Sequence, residues 1–100
     1  MAGPSRRNVR TAEYREREAR LPERIRRLSE RTFATFLANP AHPSLRLHAL
    51  EDDGRGRHLA GSTSVSITMQ YRAIYVVEDD TNVWYWVGTH NDYDGFTGRR

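Results

Sequence analysis

The spacing of apolar residues changes once along this 100-residue chain, at Asn39-Pro40. Before that point, apolar residues recur every three to five positions, which predicts a helix with one apolar stripe. After it, they alternate with polar residues or run continuously, as they do in strands. A chain of this length forms a single core, so we expect one domain over residues 1–100. The pattern therefore predicts an α+β fold in which N-terminal helices pack on a sheet.

Two helices are predicted, over residues 11–20 and 22–38. Pro22 separates them, because proline disfavours helical geometry in the residue before it and suits a first helical position. The first helix is nearly all polar and offers little for packing beyond Tyr14. The second has an apolar stripe and an arginine-rich opposite face, and Asn39-Pro40 ends it.

Four antiparallel strands are predicted after the helices, in a twisted sheet. They cover residues 44–50, 63–69, 71–77 and 82–87. The last two are apolar on both faces, apart from Arg72, and are therefore expected to be central. Residues 51–61 are rich in glycine and charge and predict a mobile loop. Flexible tails are expected at 1–9, with a short edge strand around 8–10 as the alternative, and at 95–100.

The charge of the chain is unevenly placed. Residues 1–50 contain eleven Arg and five Glu, for a net +6, whereas residues 51–100 contain five Arg and eight acids, for −3. No lysine is present. Guanidinium groups match phosphate or carboxylate in a bidentate way. A basic half therefore suits a nucleic acid or an acidic protein segment, and charge alone does not choose between them.

Composition excludes several classes of protein. The absence of cysteine excludes disulfide scaffolds, thiolate zinc sites and a cysteine nucleophile. No apolar run approaches the ~20 residues that cross a bilayer, and the N-terminus lacks the apolar stretch of a secretory signal. We therefore expect a cytoplasmic protein with no membrane partner. The four histidines are scattered without ligand spacing, so neither a metal nor another cofactor is expected.

Arg72 interrupts an otherwise apolar strand. A charge at a buried strand position is unfavourable unless it is paired or faces a functional surface. One interpretation is therefore a phosphate contact, and the other is a structural ion pair with Asp92 or Glu51.

His90 follows the last strand, where a sheet commonly presents catalytic groups. Histidine titrates near neutrality and can act as an acid or a base. Tyr93 lies close by and could stack on an RNA base. The alternative is that His90 caps the loop through Asp92 or Asp94 while Tyr93 closes the core.

Further candidate binding groups lie on the first strand and in the following loop. Arg46 and His48 are two apart, so a regular strand would place them on one face. Arg55, Arg57 and His58 lie in the glycine-rich loop, where backbone freedom would let them close over RNA.

Four ordered segments of the chain resemble the RelE/ParE superfamily of toxins from bacterial type II toxin–antitoxin pairs. They are Leu21-Pro22, NPAHPSLRLHAL at 39–50, SVSITMQYRAIYVV at 64–77 and VWYWVGTHNDYD at 83–94. The resemblance implies two helices on an antiparallel sheet and an antitoxin partner. For the RelE branch it also implies metal-independent cleavage of mRNA in the ribosomal A site, whereas the ParE branch shares the fold and acts on DNA gyrase.

The resemblance also implies roles for individual residues. The Tyr-Arg-x-x-Tyr context of Arg72 is where RelE toxins contact the scissile phosphate, and the position of His90 holds a basic or imidazole group in several of them. Lysines that such nucleases carry are replaced here by Ser64, Ser66 and Thr68. We therefore hypothesise a ribosome-dependent endoribonuclease with Arg72, His90 and His48 as catalytic residues. The RNA-binding residues are then Arg46, Arg55, Arg57, His58, Ser66 and Tyr93. A gyrase inhibitor and an inactive, antitoxin-binding relative remain as alternatives.

Overall fold

The computed structural model describes residues 6–98 as one five-stranded sheet with helices on both faces. The elements in chain order are β1 (Arg7–Arg10), α1 (Ala12–Ala19), α2 (Glu23–Ala38), a 3₁₀ turn (Pro43–Leu45), β2 (His48–Ala49), β3 (Ser62–Thr68), β4 (Tyr71–Glu78), β5 (Thr81–Thr89) and α3 (His90–Thr97). The strand order is β1-β5-β4-β3-β2. β1 is parallel to β5, and all other neighbours are antiparallel.

The two N-terminal helices lie where the sequence predicts them. α1 begins after Thr11, whose hydroxyl accepts a hydrogen bond from the N–H of Tyr14 at 3.0 Å and so caps the helix. α2 begins after Pro22 and ends at Asn39. The apolar stripe of α2 packs on the sheet, as the periodicity indicates.

The predicted four-stranded antiparallel sheet is wrong in its strand number and direction, because a fifth strand makes the sheet mixed. Residues 7–10, assigned above to a flexible tail or an edge strand, form β1 alongside β5. The side chain of Asn8 anchors it: its Oδ1 accepts hydrogen bonds from Asn82 Nδ2 at 3.2 Å and from Trp84 Nε1 at 3.0 Å. This strand is mostly polar and gives no alternating pattern. Residues 1–5 lie outside the described part.

The predicted strand over 44–50 is largely absent. Pro43–Leu45 forms a 3₁₀ turn that buries Leu45, and Arg46 then takes a left-handed conformation with φ of 46°. Only His48–Ala49 pairs with β3. Because the chain turns at Arg46, the alternation that would place Arg46 and His48 on one face does not apply.

The C-terminal segment is also more regular than predicted, because residues 95–97 complete α3 instead of starting a flexible tail. Thr89 caps the helix by accepting from the N–H of Asp92 at 3.1 Å, and Gly98 ends it with φ of 72°. Tyr93 and Thr97, one turn apart, are buried against the sheet. Residues 99–100 lie outside the described part.

The core has two layers, one on each face of the sheet. The helix-pair face is covered by α1 and α2 and contains Tyr14, Phe36, Leu45, Val65, Ala73, Tyr75, Trp84 and Val87. The α3 face contains Leu50, Ile74, Trp86 and Tyr93. β5 contains a β-bulge, because Ile74 pairs with Trp86 but the next residue, Tyr75, pairs with Trp84. Tyr85 is therefore the extra residue, and it packs on the same face as Trp86.

The free energy of unfolding should decrease at alkaline pH because of Tyr14. Burial raises the pKa of Tyr14 to about 12, and it raises the pKa of Tyr75 as well. Between pH 10 and 12 the unfolded chain loses the Tyr14 proton while the folded chain keeps it, so the free energy of unfolding falls as pH rises. The full loss from Tyr14 is about 3 kcal/mol. Urea unfolding at several pH values from 8 to 11.5 measures this loss. The free energy of unfolding should fall less steeply with pH in Tyr14→Phe than in the wild type. An equally steep fall in both would contradict this assignment.

Candidate active site

Two neighbouring rows of side chains point to the α3 face. One row contains His48, Ser64, Ile74 and Trp86, and the next contains Ser66, Arg72 and Gly88. Cross-strand partners share a face, so these polar groups lie on one surface. Standard strand spacings place the Cα atoms of His48 and Arg72 about 12 Å apart. Gly88 leaves space for the side chain of Trp86, because a Cβ at position 88 would lie 2.9 Å from the indole ring.

The guanidinium of Arg72 is anchored at one nitrogen. Its Nη1 donates to Ser66 Oγ at 3.3 Å, to the Tyr71 carbonyl at 3.1 Å and to the Thr68 carbonyl. Among residues 6–98, no carboxylate lies within ion-pair distance of it. The structural ion pair with Asp92 or Glu51 is therefore not formed. Within residues 6–98, the N–H groups of Nε and Nη2 make no hydrogen bond. Their side-by-side geometry suits a bidentate contact with an oxyanion.

His90 lies at the end of the sheet near Arg72. It is the first residue of α3, and its N–H donates to the Gln70 carbonyl at 2.6 Å. Standard spacings place its Cα about 8 Å from that of Arg72. The imidazole is 46% exposed, and its Nδ1 lies 3.4 Å from Asp94 Oδ2. The contact with Asp94 is therefore formed.

Tyr93 does not stack on a base in this structure, because its ring belongs to the core. It is 4% exposed and packs with Leu50, Ile74 and Trp86. The alternative interpretation, in which Tyr93 closes the core beneath His90, describes its position. Its burial follows from α3, which turns this side chain toward the sheet.

A cleft of about 410 Å³ opens beside β2 on this side of the molecule. Three of the predicted residues line it, namely His48, Arg55 and His58, together with Leu50, Glu51, Asp53, Thr97 and Gly98. Arg72 and His90 lie outside the cleft lining. The structure therefore divides the predicted site into a cleft with two histidines and an adjoining sheet surface with Arg72.

The loop over 51–61 has a defined path, in contrast to the mobile loop predicted above. The N–H of Arg57 donates to the Phe96 carbonyl at 2.7 Å, and the N–H of Leu59 donates to the Tyr85 hydroxyl at 2.9 Å. That hydroxyl also lies 2.6 Å from Ser62 Oγ. Tyr85 therefore positions the wall of the cleft. No pattern in the sequence signals this role, because the bulge determines which way Tyr85 points.

The charged groups of the cleft are not equally available. His58 Nε2 lies 2.7 Å from the Glu51 carbonyl, which requires a proton on Nε2, and its Nδ1 is buried against Gly56. Arg55 Nε lies 3.7 Å from Asp53 Oδ2. His48 is exposed and makes no side-chain hydrogen bond within residues 6–98. It is therefore the imidazole of the cleft that is most accessible to a ligand.

Arg46 and Arg57 lie apart from the cleft lining. Arg46 is exposed at the end of the 3₁₀ turn. The guanidinium carbon of Arg57 lies 5.8 Å from the ring centroid of Phe96, a cation–π contact on α3. Within residues 6–98, no three histidine or acidic side chains converge as metal ligands, and no helix is long and apolar enough to span a membrane.

Comparison with solved structures identifies the class of fold. YafQ from E. coli strain BL21(DE3) superposes with a TM-score of 0.70 at 14% identity, over 91% of this chain and 100% of YafQ. A chain of the toxin–antitoxin complex RelBE2 from Mycobacterium tuberculosis gives 0.57 at 23%, over 87% and 100%. The YoeB/ParE toxin from Agrobacterium tumefaciens gives 0.62 at 19%, over 84% and 98%. No sequence-family profile and no curated protein sequence matches the chain.

The chain therefore has the RelE-like fold of toxin–antitoxin toxins. The resemblance seen in the sequence is confirmed at the level of the fold. Each neighbour is matched over nearly its whole length, so the similarity concerns the complete toxin domain and not a shared substructure.

Proposed function

We propose that this chain is the toxin of a type II toxin–antitoxin pair and a ribosome-dependent mRNA endoribonuclease. The observation that carries the proposal is the uncompensated guanidinium of Arg72, which shares the α3 face with the exposed imidazole of His48 and lies near His90. A guanidinium close to an imidazole supplies two of the groups that cleavage of an RNA backbone requires, a cation for the phosphorane and a proton donor for the leaving oxygen. The proposed reaction uses no metal and no other cofactor.

The proposed reaction is an internal transfer at one phosphate. Water takes up the proton of the ribose 2′-OH, and the 2′ oxygen forms a bond to phosphorus, while His48 contacts the RNA chain farther along the sheet. The bond from phosphorus to the 5′ oxygen breaks, and His90 gives a proton to that leaving oxygen. Arg72 stabilises the negative charge of the phosphorane with Nε and Nη2. The products are a 2′,3′-cyclic phosphate and a 5′-hydroxyl end.

Neighbouring residues position these groups. Ser66 Oγ accepts from Arg72 Nη1, so the serine that replaces a lysine orients the catalytic cation. Asp94 orients the imidazole of His90 through the contact at Nδ1. Arg55 and His58 line the cleft where the RNA chain would continue from His48. Arg46 and Arg57 would contact RNA farther from the scissile phosphate.

The ribosome is proposed as the platform for the reaction. The outer side of α2 exposes Arg24 and Arg31, and neither forms an ion pair within residues 6–98. Such a basic surface attracts RNA phosphates and releases their counterions. Within this proposal the toxin works in the cytoplasm and is held inactive there by its antitoxin.

Induced expression in bacterial cells tests the proposal against its alternatives. We expect growth arrest within minutes, with new 5′-hydroxyl ends inside translated mRNA and intact DNA. DNA-damage signalling with intact transcripts would indicate a gyrase inhibitor and overturn the nuclease proposal. Normal growth with intact transcripts would indicate an inactive relative that retains only the fold.

A further inference from the structure

The turn between β3 and β4 lies between the two groups that the proposed reaction uses. Residues 68–70 end β3 and lead into β4, the strand that carries Arg72, and we refer to them as the β3–β4 turn. The same turn contacts the start of α3, because the N–H of His90 donates to the Gln70 carbonyl at 2.6 Å. The placement of His90 relative to Arg72 therefore depends on the conformation of this turn.

Thr68 contacts the guanidinium of Arg72 through its backbone. Its carbonyl accepts a hydrogen bond from Arg72 Nη1 and another from Ser66 Oγ, the latter at 3.2 Å. The contact forms at a β-bulge, because Ser66 pairs with Arg72 but Thr68 pairs with Tyr71, which leaves Ile67 as an extra residue in β3. Such bulges redirect the backbone locally and are frequent beside active sites. The Thr68 carbonyl therefore helps to fix the orientation of the guanidinium.

The side chain of Thr68 fixes the rest of the turn. Its Oγ1 accepts a hydrogen bond from the N–H of Gln70 at 3.0 Å. A side-chain bond to the backbone two residues further along is a common way in which threonine stabilises a turn. Gln70 is thus held on both sides, at its N–H by Thr68 and at its carbonyl by His90.

The bond from Gln70 matters for His90 because His90 is the first residue of α3. The first N–H groups of a helix have no partner inside the helix. The Gln70 carbonyl accepts from the N–H of His90, and Thr89 Oγ1 accepts from the N–H of Asp92. The imidazole itself is 46% exposed and contacts Asp94. The β3–β4 turn therefore fixes the backbone from which the imidazole extends.

We infer that Thr68 is a positioning residue for the proposed cleavage: through Gln70, its hydroxyl holds the imidazole of His90 where it can protonate the leaving 5′ oxygen. The inference rests on the proposed function for the reaction itself. The Thr68 carbonyl, which any residue at this position would supply, continues to hold Arg72. Removal of the hydroxyl should therefore impair protonation of the leaving group and spare stabilisation of the phosphorane.

The first part of the test removes the hydroxyl of Thr68 in the full chain. Thr68→Val keeps the shape of the side chain and loses the acceptor for the N–H of Gln70. Its single-turnover rate on ribosomes programmed with an ordinary mRNA should fall about 10- to 100-fold, because small displacements of a catalytic group have effects of this size. Thr68→Ala also lacks the hydroxyl and should behave in the same way, whereas Thr68→Ser keeps it and should restore most of the rate.

The second part changes the leaving group, with an mRNA that carries sulfur in place of the 5′ oxygen at the mapped cleavage position. A thiolate leaves without a proton, because thiols are much stronger acids than alcohols. Thr68→Val should therefore cleave this message nearly as fast as the wild type does, and so should His90→Ala. Arg72→Ala should stay slow on both messages, because the charge of the phosphorane needs a cation whichever atom leaves.

Thr81→Val is the matched control for a lost turn hydroxyl. Thr81 Oγ1 donates to the Asp79 carbonyl at 3.4 Å, in the turn at the other end of β5 from His90. This variant should cleave both messages as the wild type does. Hydrogen exchange followed by NMR gives a readout that needs no cleavage: the amide of His90 should exchange faster in Thr68→Val than in the wild type or in Thr68→Ser.

Three results would overturn the inference. They are a wild-type rate for Thr68→Val on the ordinary message, an equal loss on both messages, and an unchanged exchange rate of the His90 amide. An equal loss would mean that Thr68 acts through Arg72 or through the fold. Failure of the proposed function is recognised separately, because the wild-type chain itself would then leave ribosome-bound mRNA intact, and the positioning role would be refuted with it.

Discussion

Replacing Arg72 with alanine is expected to lower the single-turnover rate of mRNA cleavage about 100- to 1000-fold. The guanidinium has no acidic partner among residues 6–98, so its charge is available to stabilise a phosphorane. Substrate affinity should change much less, because the charge on the phosphate grows in the transition state. The measurement uses saturating protein on ribosomes programmed with a labelled mRNA.

Two control variants separate catalysis from folding in this experiment. Arg72→Lys keeps the charge but loses the planar fork, so an intermediate rate is expected. Arg20→Ala removes a surface arginine that pairs with Glu16 at 3.0 Å on α1, and it should cleave normally. Because Nη1 of Arg72 also anchors the β3–β4 turn, the alanine variant should lose about 1 kcal/mol of stability. Cleavage by a folded Arg72→Ala chain at the wild-type rate would remove Arg72 from the mechanism.

Trp84→Ala is expected to have the largest effect on stability, about 3–5 kcal/mol. Trp84 is 1% exposed, and its ring lies 4.9–6.3 Å from four aromatic rings of α1, α2 and β4. Its Nε1 also donates to Asn8 Oδ1, which holds β1 to the sheet. Since small domains are stable by only about 5–15 kcal/mol, much of the variant should be unfolded at 37 °C.

Urea unfolding monitored by circular dichroism measures this effect. Trp84→Phe is the matched control, because it keeps an aromatic ring in the cluster and loses only the bond to Asn8 and part of the packing. Its cost should be about half that of alanine or less. A loss below about 1 kcal/mol for Trp84→Ala would contradict the position of this residue at the centre of the core.

The sequence predicted the position of those elements that have a clear local pattern of apolar residues. The stripe of α2 and the continuous apolar runs of β4 and β5 predicted their positions closely. β1 was predicted only as the alternative to a flexible tail, because its stability comes from pairing with β5 and from Asn8, which lies 74 positions away from its partner Asn82. α3 was missed because its eight residues bury only two side chains and give no clear period.

The roles of the predicted site residues stay predictions, but the structure shows which of their predicted positions depended on geometry that the sequence does not reveal. Arg72 was identified because a charge within an apolar strand requires a reason. Arg46 and His48 do not share a strand face as predicted, because Arg46 takes a left-handed conformation that interrupts the strand. Tyr93 is buried because it lies on the inner side of α3, a helix that the sequence pattern did not indicate. The cleft depends on how the loop over 51–61 packs on Phe96 and Tyr85, and glycine-rich composition does not encode that contact.

Cleavage of a single modified mRNA tests the central claim most directly. The claim is that groups on the α3 face activate the ribose 2′-OH for attack on the next phosphate. Ribosomes are programmed with an mRNA that carries a 2′-deoxy nucleotide only at the mapped cleavage position, and its cleavage is compared with that of the all-ribose message. We predict that the all-ribose message yields a 2′,3′-cyclic phosphate and that the deoxy message stays intact at that position. Cleavage of the deoxy message at the same position and rate would contradict the mechanism.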